Sequence, residues 1–149
     1  MHIQFKHLLF AAGLACFTLT AQAQPRKSQA KKTVQAVNPL MKQSTLPYNA
    51  PDFSKIKGDY YLPAIQAAIE AQRQEIKKIT DNKQKPTFAN TVLAYERSGQ
   101  MLNRVTGIFN CVTEADKTPD LEKAEAAVIP MMTNFENEIK FNQKFFQRI

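Results

Sequence analysis

The stretch LPAIQAAIEAQRQEIKKI at residues 62–79 decides the fold, because its large side chains recur with the period of a helix. Six positions spaced three or four residues apart fall on one helix face: Leu62, Ile65, Ile69, Gln72, Ile76 and Ile79. Asp59 is the predicted N-cap, and Pro63 falls in the first turn, where its missing N–H costs little. We predict a helix over about residues 60–80.

A second helix is predicted over residues 87–115, with Thr87 as its N-cap. Its apolar stripe again has three- and four-residue spacing: Phe88, Val92, Tyr95, Gly99, Leu102, Val105, Phe109 and Val112. Gly99 lies inside the stripe, where a glycine costs roughly 0.5–1 kcal/mol relative to alanine. Close approach of a neighbouring helix backbone would explain that choice.

A third helix is predicted over residues 119–139, opened by Thr118 as N-cap and Pro119 at the first helical position. Its stripe comprises Leu121, Ala124, Val128, Met131, Phe135 and Ile139. Pro130 interrupts this helix, but the stripe keeps its phase, so we expect a kink rather than an end.

Asn142 is the predicted cap of a fourth helix starting at residue 143, with Phe145, Phe146 and Ile149 opening its apolar face. No stretch alternates with the period of a strand. The predicted class is all-α, with antiparallel helices joined by short loops. Since a natural terminus rarely stops on an apolar face just begun, residues 58–149 are predicted to be an incomplete helical domain that packs against further protein.

The residues before the helices divide into three segments. Residues 1–23 have the pattern of a secretory signal peptide, with cleavage expected after Ala23, because the apolar run of 13 residues is shorter than the roughly 20 that span a membrane. The chain is therefore predicted to be exported, to the periplasm or outside the cell, with no membrane span. Lipidation at Cys16 is a weaker alternative, since Gly13 occupies the position where a lipoprotein signal carries Leu.

Residues 24–37 are basic and polar, which favours a flexible tether; contact with an anionic membrane surface is the alternative. Residues 38–57 are predicted to form an extended, proline-rich arm fixed by side chains rather than by its own hydrogen bonds. Its five predicted apolar anchors are Leu40, Leu46, Tyr48, Phe53 and Ile56.

The positive charge is confined to the start of the chain. The formal net charge is +7, yet residues 58–149 hold twelve basic and twelve acidic side chains. Because a nucleic-acid interface needs a basic excess on the fold itself, no nucleic-acid partner is predicted.

No catalytic, cofactor-binding or metal-binding residue is predicted in this chain. Its two histidines, His2 and His7, lie in the leader, so residues 24–149 contain none. Cys111 is predicted to be a packed and inert thiol beside the second stripe. The third helix carries two sets of neighbouring carboxylates, Glu122 with Glu125 and Glu136 with Glu138. They are predicted to lie on solvated helix faces rather than in a site. Weak ion pairs are predicted between Asp120 and Lys123 and between Glu136 and Lys140.

Three stretches together resemble one enzyme family: NPLMKQSTLPYNAPDFSKIKGDYYLPAI at 38–65, PTFANTVLAYERSG at 86–99, and the next helix pair with Pro130 and FNQKFF. They are similar to the N-terminal region of thimet oligopeptidase-like zinc metallopeptidases, most of all the bacterial peptidyl-dipeptidases, which release C-terminal dipeptides. The resemblance implies a larger, nearly all-helical enzyme acting on short peptides. In that family a His-Glu-x-x-His helix and a later Glu hold zinc, which activates water for attack on a peptide carbonyl.

The sequence departs from that pattern because it contains no His-Glu-x-x-His motif. We therefore predict an N-terminal fragment of an exported zinc metallopeptidase, inactive alone, whose partners are short peptides and the missing catalytic portion. The alternative is a complete, exported helical module that binds a protein or peptide without catalysis.

Overall fold

The computed structural model describes residues 38–149, so the predicted signal peptide at 1–23 and the tether at 24–37 lie outside the described residues. The described part contains no strand, and the prediction of an all-α fold is confirmed. Its α-helices are α1 (Tyr61–Thr80), α2 (Leu93–Glu96), α3 (Gln100–Ala115), α4 (Pro119–Lys140) and α5 (Gln143–Phe146).

Helix α1 packs against both α3 and α4. The ring of Tyr61, at the start of α1, lies 5.2 Å from the ring of Phe109, near the end of α3. Farther along α1, the side chain of Gln72 reaches Ser98, just before α3, so α1 and α3 are antiparallel. Arg73 of α1 contacts Glu138, near the end of α4, while the start of α4 lies beside Gly58, so α4 runs parallel to α1.

The core lies between these three helices. Ile65 of α1 and Val105 of α3 are fully buried, and α4 contributes Leu121, Val128 and Phe135. Burying each such side chain stabilises the fold by roughly 1.5–3 kcal/mol. The buried members of the predicted stripes therefore face one another, whereas Phe88, the first member of the second predicted stripe, is exposed.

Three predicted caps are confirmed. The hydroxyl of Thr87 accepts from the backbone N–H of Asn90, and the side chain of Asn90 accepts in return from the N–H of Thr87. Thr118 accepts from the N–H of Leu121, with Pro119 in the first turn. The side chain of Asn142 accepts from the N–H of Phe145. These contacts satisfy N–H groups that the first helical turn leaves without partners.

The single helix predicted over 87–115 is wrong, because Gly99 interrupts it. The segment consists of a π-helical turn at Phe88–Val92, then α2, then α3. Gly99 adopts a left-handed conformation, with φ 71° and ψ 15°, which cannot continue a right-handed helix. Its backbone N–H donates to the carboxylate of Glu75 at 2.7 Å, so the break is joined to α1.

The start of α1 also differs from the prediction. Asp59 does not cap the helix; it lies within a 3-10 turn at Gly58–Tyr60, and the N-cap residue Tyr60 makes no capping side-chain hydrogen bond. The preceding turn enters α1 directly, because Tyr60 already has helical dihedral angles and needs no side-chain cap to start the helix.

Helix α4 continues through Pro130, so the prediction that it does not end there is confirmed. Proline leaves the carbonyl four residues earlier, that of Ala126, without its helical donor. Both positions are exposed, so water can hydrogen-bond that carbonyl.

The arm at 38–57 is less firmly anchored than predicted. Leu40 is buried and Ile56 packs against the core, but the other three predicted anchors, Leu46, Tyr48 and Phe53, are exposed. The arm also forms its own hydrogen bonds in short 3-10 turns at Pro39–Met41, Pro47–Asn49 and Phe53–Lys55. A proline-rich segment can still close such local turns, because each needs only one backbone donor.

Candidate functional site

The carboxylates on α4 form surface ion pairs. Glu136 lies 3.3 Å from Lys140, as predicted, and Glu125 lies 2.6 Å from Lys117 in the preceding loop. The predicted pairing of Asp120 with Lys123 does not occur within residues 38–149. These side chains are substantially exposed, so they stabilise local structure weakly and are poorly placed for acid–base chemistry.

Arg73 joins α1 to α4. Its Nη2 lies 2.8 Å from Oε2 of Glu138, and its Nη1 lies 2.8 Å from Oε2 of Glu70. The hydrogen bonds that Arg73 donates to Glu138 and to Glu70, in that order of importance, raise the pKa of Arg73 above its ordinary value. The guanidinium also lies over the ring of Phe135, 5.4 Å from its centre. This arrangement joins α1 to α4 at the protein surface, where ion pairs stabilise weakly. Sequence spacing could not reveal it, because α1 and α4 are far apart in the chain.

The prediction that Cys111 is packed is wrong, because the residue is exposed as a free thiol. The buried positions of α3 include Leu102, Val105 and Phe109. Cys111 follows Phe109 by two residues, which rotates it by about 200° to the opposite helix face. The proximity of Cys111 to the stripe in sequence therefore does not bury its side chain.

The described residues do not fit a zinc site. No group of three or more His, Cys, Asp or Glu side chains within residues 38–149 is arranged to hold a metal ion. Protein zinc sites use Cys, His and carboxylate ligands, usually with three or four protein groups around the ion.

A cleft of about 270 Å³ lies between the arm and α3. On the α3 side it is lined by Arg104 and Ile108. Arg104 donates to the backbone carbonyl of Leu40 at 3.2 Å and so holds the arm against the helix. Sequence reasoning missed this cleft, because Arg104 and Leu40 are separated by 64 residues.

The cleft suits binding rather than catalysis. Three cationic side chains line it, those of Lys42, Lys55 and Arg104. Asp52 lies 2.7 Å from Lys55, whose hydrogen bond holds the pKa of the carboxyl below its ordinary value. An ionised Asp52 that is already paired with a lysine is a weak general base, so the lining favours recognition of an anionic or carbonyl-rich group.

A left-handed turn lies at the rim of the cleft. Tyr48 and Asn49 have φ values of 59° and 57°, and Tyr48 is fully exposed. The N–H of Ala50 donates to the carbonyl of Pro47 and closes the turn. Asn tolerates the left-handed region, whereas a bulky Tyr adopts it at a cost of about 1–2 kcal/mol.

None of the helices between residues 38 and 149 combines the length and apolar character that a membrane span requires.

Comparison with known proteins gives two curated relatives, both named dipeptidyl carboxypeptidase. The Salmonella typhimurium strain LT2 protein is 38% identical over 114 residues, and the Escherichia coli strain K12 protein is 38% identical over 113 residues. Each match covers 76% of this chain but only 17% of the relative's length. No protein-family model matches the chain.

Proposed function

We propose that this chain, which is related over three quarters of its length to the dipeptidyl carboxypeptidases, serves as a helical segment of an exported zinc metallopeptidase of that family. The whole enzyme would remove dipeptides from the C-termini of short peptides. The observation that carries this proposal is 38% identity sustained over 114 residues. The predicted family resemblance, based on residues 38–149, points to the same enzymes.

The proposed role of this segment is to shape the enzyme, not to perform the chemistry. Residues 24–149 contain no histidine, and the carboxylates of α4 are exposed or paired with cations. The zinc ligands and the general base would then come from the catalytic portion of the enzyme. On its own, the chain neither holds zinc tightly nor hydrolyses peptides.

The described fold supports a scaffolding role. The contact of Arg73 with Glu138 and the hydrogen bond from Gly99 to Glu75 join elements that are distant in sequence. Together with the buried core of α1, α3 and α4, these contacts define a fixed relation between three helices. A fixed wall of this kind can limit access to a peptide site that is formed with the catalytic portion.

Export is part of the proposal and is supported by the leader pattern of residues 1–23. Intact mass or N-terminal sequencing of the protein recovered outside the cytoplasm tests it. We expect a mature chain that begins at Gln24. A product that begins at Cys16, or one that keeps the leader, would contradict the proposed processing.

A chimera tests the proposed role in the enzyme. The matched segment of the E. coli dipeptidyl carboxypeptidase is replaced by the corresponding residues of this chain, and release of C-terminal dipeptides from a short peptide is measured. We expect activity within about tenfold of the parent, because the segments are 38% identical and a core tolerates apolar substitutions that keep its volume and pattern. The chimera carrying Val105→Asp is the control, since an unpaired charge in the core should abolish folding.

A chimera that folds but releases no dipeptide would contradict the proposal. That result would favour the second class of function, a helical module that binds peptides without catalysis. The candidate peptide-binding site would then be the cleft beside Arg104.

A further inference from the structure

Large apolar side chains are exposed at one end of the helix bundle. Four of them project from the segment after α4 and from the turn before α2, with exposed fractions of 70–83%: Phe88, Phe141, Phe146 and Ile149. We call these four residues the aromatic end. Their exposed surfaces add up to on the order of several hundred Å², and large exposed apolar areas often mark sites of protein interaction.

The aromatic end is held in place by the residues between its members. Arg148 donates to the backbone carbonyl of Asn82 at 2.7 Å and to the side chain of Asn90 at 3.3 Å. The ring of Phe145 is buried 4.8 Å from the ring of Tyr95. The chain around residues 141–149 is thus attached to the loop and turn at 82–90, and the exposed rings are presented from a fixed frame.

Lysines lie close in sequence to the members of the aromatic end. Lys83 and Lys85 are exposed in the loop before Phe88 and form no ion pair within residues 38–149. Lys144 lies 3.4 Å from Asp81, which also pairs with Lys77. Exposed aromatic rings accompanied by exposed lysines match a protein surface that offers both apolar and acidic groups.

We infer that the aromatic end is the surface on which the catalytic portion of the dipeptidyl carboxypeptidase packs. This inference rests on the proposed function. The length of the relatives indicates what covers the aromatic end, since more than four fifths of each relative lies outside the matched segment. Buried aromatic anchors contribute most of the energy of such interfaces, so Phe141 and Phe146 are the principal contacts.

Two substitutions in the E. coli chimera test the inference. Phe141→Ser and Phe146→Ser are introduced together, and thermal unfolding and dipeptide release are measured. Phe53→Ser is the matched control, because Phe53 is also exposed but lies in the arm near the start of α1, at the opposite end of the bundle. We expect the double variant to unfold at a temperature lower by about 5 °C or more and to lose dipeptide release about tenfold or more. The control should match the parent chimera.

Thermal unfolding of this chain alone, with the same two substitutions, shows whether the rings stabilise the helix bundle itself or only its contact with the catalytic portion. Because both rings are exposed, the double variant should unfold within about 2 °C of the parent chain. An equal loss of stability in the chain alone and in the chimera would show that these rings support the bundle itself and would overturn the inference. An active chimera that tolerates both substitutions would also overturn it, while leaving the proposed function intact.

An inactive parent chimera would instead contradict the proposed function, so the two failures are distinguishable. A further experiment uses vesicles of anionic lipid, because aromatic rings with lysines also suit a membrane surface. Binding of this chain to such vesicles that is lost in the double variant, with no effect in the chimera, would assign the aromatic end to a membrane and refute an interface with the catalytic portion.

Discussion

Replacing Gly99 with alanine tests the break between α2 and α3. Gly99 has a φ of 71°, and a left-handed conformation costs a residue with a Cβ atom about 1–2 kcal/mol. A Cβ atom built on Gly99 would lie 2.4 Å from the side-chain amide of Gln72, so Gln72 must move and lose its contact with Ser98. We therefore expect Gly99→Ala to lower the free energy of unfolding by about 1–3 kcal/mol.

Urea unfolding followed by circular dichroism at the helix band measures this change in free energy. Gly107→Ala is the matched control, because Gly107 lies inside α3 with no atom near its missing Cβ. That substitution should raise the free energy of unfolding by about 0.5–1 kcal/mol, as expected for an alanine in a helix. The double variant Gln72→Ala/Gly99→Ala should recover the part of the loss that is due to the clash.

The sign of the change decides between two structures. If Gly99→Ala stabilised the protein as Gly107→Ala does, residue 99 would be part of a regular helix. The continuous helix over 87–115 predicted from the sequence would then be correct, and the left-handed break would be refuted.

Three further predictions concern the core, the thiol and an ion pair. Ile65→Ala should lower the free energy of unfolding, measured in urea, by about 2–5 kcal/mol, because Ile65 is fully buried. The exposed Ile129→Ala is its control and should lower it by less than about 0.5 kcal/mol. Similar losses in the two variants would contradict the described core. Cys111 should react with a neutral thiol reagent in the native protein at a rate within about tenfold of the rate in urea, as followed by mass spectrometry. Protection of Cys111 until unfolding would restore the prediction of a packed thiol. Hydrogen bonds from Lys77 and then Lys144 hold the pKa of Asp81 below its ordinary value of 3.8, so the unfolded chain binds this proton more readily. The stability that Asp81 adds should be present above about pH 4 and lost as the pH falls through the lowered pKa. The free energies of unfolding of Asp81→Asn and of the parent should therefore converge at low pH. A difference that does not change with pH would refute the pairing.

The features that could be predicted from the sequence depend on neighbouring residues. Thr87, Thr118 and Asn142 were identified as caps because a cap contacts an N–H only two or three residues away. The faces of α1 and α4 followed from spacing, since one helix face is defined by its own residues. Continuation of α4 through Pro130 followed from the same phase argument.

The features that were missed depend on contacts between distant residues. Gly99 is compatible with a helical stripe, and only the carboxylate of Glu75 and the side chain of Gln72 mark it as a break. Phe53 and Tyr48 look like anchors by composition, but Tyr48 is fully exposed and Phe53 is only half-buried, beside Tyr61 and Leu121. The cleft beside Arg104 requires an arm that folds back across 64 residues.

The candidate site was limited by what sequence motifs can specify. A zinc motif is a local pattern, so the absence of His-Glu-x-x-His from this sequence could be read directly. A packing surface has no such pattern. Phe88 and Phe146 belong to predicted apolar stripes, and only the fold shows that they point away from the core while Phe145 points into it.

Peptide hydrolysis by the purified chain is the most direct test of the division between scaffold and catalytic portion. The chain is incubated with Zn²⁺ and a short peptide, and released dipeptide is measured by mass spectrometry, with the E. coli dipeptidyl carboxypeptidase as the positive control. We predict no release above that of Zn²⁺ in buffer, because no histidine follows residue 7. Dipeptide release by this chain that a chelator abolishes would show that it holds its own catalytic site.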